Sequence, residues 1–158
     1  VTYIDDMITY DSSIFAPNNL SAARIMGLEA IVGGQFYGFD MLVNYSALDP
    51  KSMDSATFGN VLPRRAQQTF RLDIDRQFGY ASIGTTLNVE GRRYDDLQNN
   101  RQIDGFVTWD IRAEYQFFEQ VTLQSTVNNI LNTQYQTVAG YNSPGVTVFF
   151  HLRYEPTL

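Results

Sequence analysis

Hydrophobic and polar residues alternate along much of this chain. Phe39, Met41, Val43, Tyr45 and Ala47 share one parity, with Asp40, Asn44 and Ser46 on the other. Phe70, Leu72 and Ile74 oppose Thr69, Arg71, Asp73 and Asp75. Val107, Trp109, Ile111, Ala113, Tyr115 and Phe117 oppose Thr108, Asp110, Arg112, Glu114 and Gln116. Val146, Val148, Phe150, Leu152 and Tyr154 oppose Thr147, His151 and Arg153. A period of two is the signature of a strand with two unlike faces. Turn residues divide the chain into eight predicted strands: Val1–Tyr10, Ala22–Gln35, Phe39–Leu48, Arg65–Gln77, Tyr80–Tyr94, Gly105–Phe117, Val121–Leu131 and Val146–Tyr154. Each is near or above the ~9–11 residues with which a tilted strand crosses a bilayer.

The connections alternate in length. Tyr37-Gly38, Phe78-Gly79 and Phe118-Glu119-Gln120 are short, whereas Asp11–Ser21, Asp49–Arg64, Asp95–Asp104 and Asn132–Gly145 are long. Short turns on one side and long loops on the other are the layout of outer-membrane barrels. The polar parity is also too charged for a small core. Arg71, Asp73 and Asp75 form one row, and Asp110, Arg112 and Glu114 another. Buried charges are costly unless paired, so this face must meet water and the other must meet lipid or a second protein layer. Phe36, Tyr37, Phe39, Phe78, Tyr80, Phe117 and Phe118 gather at the short turns, as in an interfacial aromatic girdle. The expectation is an all-β, antiparallel transmembrane β-barrel segment of about eight meander strands. Strand spacing alone would also suit a soluble β-sandwich.

Composition changes this picture little. The chain has 158 residues, of which 44% are hydrophobic and 14% aromatic, and apolar runs are no longer than about Val146–Phe150. A spanning helix needs ~20 apolar residues, so helical spans are excluded. There is no cysteine, which removes disulfides and thiolate chemistry. A net charge of -6 without a basic cluster disfavours nucleic acid as a partner. Val1-Thr2-Tyr3-Ile4 reads as strand, so an export signal is expected to lie outside the chain. His151 is the only histidine and no catalytic triad is available to it. Asp5-Asp6 and Asp95-Asp96 are adjacent and do not converge as an acid/base pair would. Asp95 and Asp96 carry oxygen ligands suited to calcium, but a solvated loop is the default reading. No catalytic residue, metal site or cofactor is expected, and the chain does not read as an enzyme.

Three segments resemble a family. Arg24-Ile25-Met26-Gly27-Leu28-Glu29 is similar to an Arg-x-x-Gly-x-Glu strand of TonB-dependent outer-membrane receptors. Val127-Asn128-Asn129-Ile130-Leu131-Asn132-Thr133-Gln134-Tyr135 resembles their C-terminal Asn-Leu-Phe-Asp segment, with Ile130-Leu131-Asn132 as a mild departure. Gly140-Tyr141-Asn142-Ser143-Pro144-Gly145 resembles the loop before the last strand. The resemblance implies that residues 1–158 are the C-terminal portion of a barrel of roughly 22 strands, with the plug domain and earlier strands outside the chain. A departure lies at Tyr154, which is followed by Glu155-Pro156-Thr157-Leu158 where such barrels end on Phe or Trp.

Within the family, Leu62-Pro63-Arg64-Arg65-Ala66-Gln67-Gln68, Gly91-Arg92-Arg93-Tyr94-Asp95, Thr108-Trp109-Asp110 and Tyr135-Gln136-Thr137-Val138-Ala139-Gly140-Tyr141 look most like the cobalamin (vitamin B12) transporters. The resemblance implies uptake of cobalamin across the bacterial outer membrane, with TonB engaged through the plug and lipid around the barrel. Arg64 and Tyr141 are the implied ligand contacts, and Arg93 and Tyr135 are further candidates. An arginine fork donates to amide or phosphate oxygens, and a tyrosine offers a flat face with a polar tip. A ferric siderophore is the alternative cargo. A free-standing eight-stranded barrel serving as an anchor or adhesin is the alternative architecture.

Overall fold

The computed structural model describes residues 1–11 and 14–156. Every regular element among them is a strand. In chain order these are β1 (Thr2–Asp11), β2 (Ala16–Phe36), β3 (Phe39–Ser52), β4 (Gln68–Phe78), β5 (Ala81–Glu90), β6 (Arg93–Tyr94), β7 (Gln102–Ile103), β8 (Phe106–Phe118), β9 (Val121–Asn128), β10 (Gln136–Val138), β11 (Tyr141–Asn142) and β12 (Thr147–Tyr154). Eight of them make one sheet in the order β1-β2-β3-β4-β5-β8-β9-β12, each pair antiparallel. The expected eight-strand meander is therefore the observed one. Two small hairpins, β6–β7 and β10–β11, decorate the long loops.

Register carries the alternation across the sheet, with a shift in the β8–β9 ladder between Gln116 and Phe118, beside the turn. Val43 pairs with Leu72, Leu72 with Leu87 and Leu87 with Trp109 on the apolar face. Asp40 pairs with Asp75, Asp75 with Gly84, Gly84 with Arg112, Arg112 with Thr126 and Thr126 with Phe149 on the polar face. A one-residue shift in any ladder would bring charges onto the apolar face, so the pattern itself selects the register. The apolar face has no covering layer: Leu28, Val32, Ile83, Val148, Phe150 and Leu152 are all exposed. Among the described residues β1 and β12 lie at opposite edges and do not pair, so the sheet is open and does not close into an eight-stranded barrel.

Three boundaries differ from expectation. The expected long loop after β1 is mostly strand, because residues 16–22 pair back onto β1 up to Asp11↔Ala16. Beyond the Ala22 carbonyl, which accepts from Met53 N–H at 2.9 Å, that stretch pairs with β1 alone, since β3 reaches only to Ala23↔Ser52. Pro17, which has no N–H to donate, therefore sits in a two-stranded ribbon with one free side. Second, β3 continues through Asp49-Pro50 to Ser52, and Lys51 bridges to Val61. Third, the predicted fifth strand breaks at Gly91-Arg92 before β6.

The short connections meet expectation. Tyr37 and Gly38 both have positive φ (49° and 79°), the geometry of a two-residue hairpin turn matched to strand twist. Phe36, Tyr37, Phe78, Tyr80, Phe117 and Phe118 are exposed around these turns. At the opposite end the loops after β3 and β5 fold together over β1 and β2. Leu62 and Leu97 pack on Ala23 there, with Ile4, Met7 and Ile25 against them. Leu62 is 0% exposed, so this rim holds a fully buried apolar side chain.

Candidate functional site

Two regions carry concentrated polar chemistry: the middle of the polar wall and the rim at the long loops. On the wall, β4, β5 and β8 bring five side chains into one network. Arg71 grips Asp73 with two bonds, Nε to Oδ2 at 2.7 Å and Nη2 to Oδ1 at 2.8 Å. Arg112 grips Asp75 likewise, Nε to Oδ1 at 3.0 Å and Nη2 to Oδ2 at 2.5 Å. Thr86 joins them, donating to Asp73 Oδ1 at 2.6 Å and accepting from Arg112 Nη1 at 2.6 Å. Paired fork geometry is the strong arrangement for arginine and carboxylate. Gly84 makes it possible. It lies between Asp75 and Arg112 in register, and a Cβ there would overlap both the carboxylate and the guanidinium.

The rim is built by loop-to-loop bonds. Asn99 reads the backbone of Val61 from both sides, accepting from its N–H at 2.7 Å and donating to its carbonyl at 2.8 Å. Asn60 donates to the Leu97 carbonyl at 2.9 Å. Asp95 and Asp96 are 3% and 5% exposed, which corrects the expectation of a solvated loop. Asp95 accepts from Arg64 Nε at 2.9 Å, and Asp96 accepts from the N–H groups of Asn100 and Arg101. Both carboxylates are thus consumed in holding the loop, and no cluster of three metal-ligating side chains forms among the described residues.

The four candidates all lie at the long-loop end but in different settings. Arg64 adopts a left-handed backbone (φ 57°), donates its N–H to the Tyr94 carbonyl, and lays its guanidinium 4.5 Å from the Tyr10 ring centroid. Arg93 is buried and pairs with Glu90. Tyr135 stacks on Phe106 with centroids 4.0 Å apart, and Arg93 approaches the other ring neighbour at 5.9 Å from the Phe106 centroid. Arg93 and Tyr135 are therefore joined through Phe106. Arg64 reaches this cluster only through the backbone of Tyr94. Tyr141 stands apart on β11 and is 74% exposed.

The segment after β9 has a structural reason for its asparagines. Asn129 (φ 51°) donates its N–H to Asp110 Oδ1 at 2.7 Å, then binds Thr133 and the Pro144 carbonyl with its side chain. Asn tolerates this left-handed conformation better than most residues. At Gly27 a Cβ would meet Leu48 Cδ2, so a larger residue there must displace that side chain. Reading the sequence alone passed over Gly84, Thr86, Asn99 and Phe106. Phe106 had a signal, being an aromatic on the charged parity of its strand; Gly84 had another, a lone glycine inside a strand.

The sequence matches the family described as TonB dependent receptor-like, beta-barrel, over residues 1–130. Solved structures share the fold. The siderophore receptor PiuA from Acinetobacter baumannii superposes with a TM-score of 0.76 at 18% identity, covering 93% of this chain and 24% of that one. The ferric yersiniabactin uptake receptor FyuA from Yersinia pestis gives 0.73 at 17%, covering 94% and 24%. The copper transporter OprC gives 0.75 at 19%, covering 96% and 27%. This chain thus spans about a quarter of the length of each. Its family is one of transporters and not of enzymes. With its two-faced meander, sorted loops and matching sequence, the chain belongs to the β-barrel family of TonB-dependent receptors, proteins of the bacterial outer membrane.

Proposed function

We propose that residues 1–158 form the closing part of a receptor barrel whose parent protein imports cobalamin, with a plug domain that engages TonB contributed from outside the chain. The observation that carries this reading is the uncharged loop 129–146, on which Tyr141 stands exposed beside a rim of nearly balanced charge. Loops 53–67 and 91–105 contain Arg64, Arg65, Arg92, Arg93 and Arg101 against Asp54, Asp95, Asp96 and Asp104, and loop 129–146 has no charged residue. Arg64 and Arg93, the two candidate cations, already hold Asp95 and Glu90. Such a rim suits a large cargo bound through amides and ring faces. Among the described residues Arg65, Arg92 and Arg101 form no ion pair, so the rim also keeps cations that an anionic chelate could use. Tyr141 offers the most accessible contact of the four candidates, while Arg64 orders loop 91–105 through Asp95.

The second reading is a ferric siderophore. It draws support from the names carried by the similar structures, which include siderophore receptors and a ferric yersiniabactin receptor. At 17–18% identity these share the fold and do not specify cargo.

Equilibrium binding to the full-length receptor separates the two. Saturable binding of cyanocobalamin below micromolar concentration is expected, with Tyr141→Ala weakening it about ten-fold. Arg64→Ala should also weaken it, by freeing Asp95 and loosening the loop. Saturable binding of a ferric siderophore with none of cyanocobalamin would overturn the cobalamin reading.

A further inference from the structure

The apolar face carries one charge where none is expected. In β3, β4, β5 and β8, from the short turns up to Ala47, Phe70, Val89 and Val107, the residues on this face are apolar, apart from Thr85 and Arg76. Arg76 pairs in register with Ile83 and lies one step from the turn. Its guanidinium carbon sits 4.5 Å from the Phe39 ring centroid and 4.9 Å from that of Phe78. The neighbouring carboxylates point through the sheet to the other face and are engaged there. Asp75 holds Arg112, and Asp40 accepts from Gln35 Nε2 at 3.2 Å. Among the described residues Arg76 forms no ion pair. It is half-buried and gripped by two rings, at the short-turn end of the sheet where Phe36, Tyr37, Tyr80 and Phe117 are also exposed.

We propose that Arg76, seated between Phe39 and Phe78, binds the phosphate of a membrane phospholipid at the periplasmic edge of the barrel. Short turns face the periplasm and aromatic girdles mark the headgroup level, so the guanidinium lies at phosphate depth. Two ring faces hold it flat and satisfy part of its charge. They leave its N–H edge to donate in the fork geometry that fits a phosphodiester. A carboxylate partner would have quenched the site; among the described residues Arg76 has none, which leaves a cation free to take a lipid phosphate at that depth.

The test is native mass spectrometry of the full-length receptor with added phosphatidylglycerol, and with diacylglycerol of the same chains. The wild type should retain phosphatidylglycerol over diacylglycerol, and Arg76→Gln should lower that retention roughly five-fold. Arg76→Lys and Phe39→Leu should each fall between, since one keeps charge without the flat fork and the other removes one ring. These two milder variants carry the test if Arg76→Gln fails to assemble, which heat-modifiable gel migration reports. Equal retention in wild type and variants overturns the proposal. So does equal retention of the two lipids, or displacement of the phospholipid by excess inorganic phosphate.

Discussion

The wall and the rim are made from the same sheet but are ordered in different ways. On the wall, Arg71, Asp73, Thr86, Arg112 and Asp75 come together because adjacent strands pair in one register. Each contact follows from parity and pairing, and the side chains stay partly open to water: Arg112 and Asp75 are 37% and 46% exposed. At the rim, Leu62 and Leu97 are buried by loops separated by two strands, and polar clamps such as Asn99 on Val61 hold them. The wall is therefore a property of the ladder, whereas the rim is a small core of its own. Because its contacts run between loops and not along the ladder, the rim can loosen without unpairing the strands.

Replacing Leu62 by Ala should have the largest effect, about 3 kcal/mol against loop docking. Hydrogen exchange should show protection lost in 53–67 and 95–104 while β3, β4, β5 and β8 keep theirs. Loss in the strands as well would break the distinction between rim and wall.

Gly84→Ala tests the wall. The added methyl must push apart Asp75 and Arg112, an overpacking worth ~1–2 kcal/mol. Urea unfolding of the full-length receptor in bilayers should register it, with the rim loops keeping their protection. An unchanged midpoint would mean the ion pair slides aside freely.

The smallest effect is expected from a double-mutant cycle of Asp75→Asn and Arg112→Gln. At the exposure seen here the coupling should be under ~1 kcal/mol and should shrink as salt rises. Coupling of ~2 kcal/mol or more in the full-length receptor would show that another layer covers this wall and desolvates the pair.

Legibility in the sequence followed the same division. The eight strands, the two faces, the sorting of loops and the girdle near Tyr37 and Tyr80 were all readable, because a period of two is a local signal. Asp95 and Asp96 were misread as solvated, since nothing near them in sequence announces that Arg64 and the Leu62 loop will cover them. The strand through Asn18 and Asn19 looked like loop for a related reason: its order comes from pairing with Ile8 and Thr9, not from propensity. Of the four candidate contacts, the sequence placed all at the long-loop end, but could not separate exposed Tyr141 from buried Arg93.

By itself, the sequence determined that this chain is an antiparallel meander with one charged and one apolar face. Alternation suffices for that, because a strand sends successive side chains to opposite faces whatever its partners. Tertiary structure decided which charges are free and which are spent. Arg112 and Arg64 find carboxylates across strands or loops, Arg71 and Arg93 find theirs close by in sequence, and Arg76 finds two phenylalanine rings and no acid. Pairing of that kind depends on register and on loop docking, and no single strand contains the information that sets either.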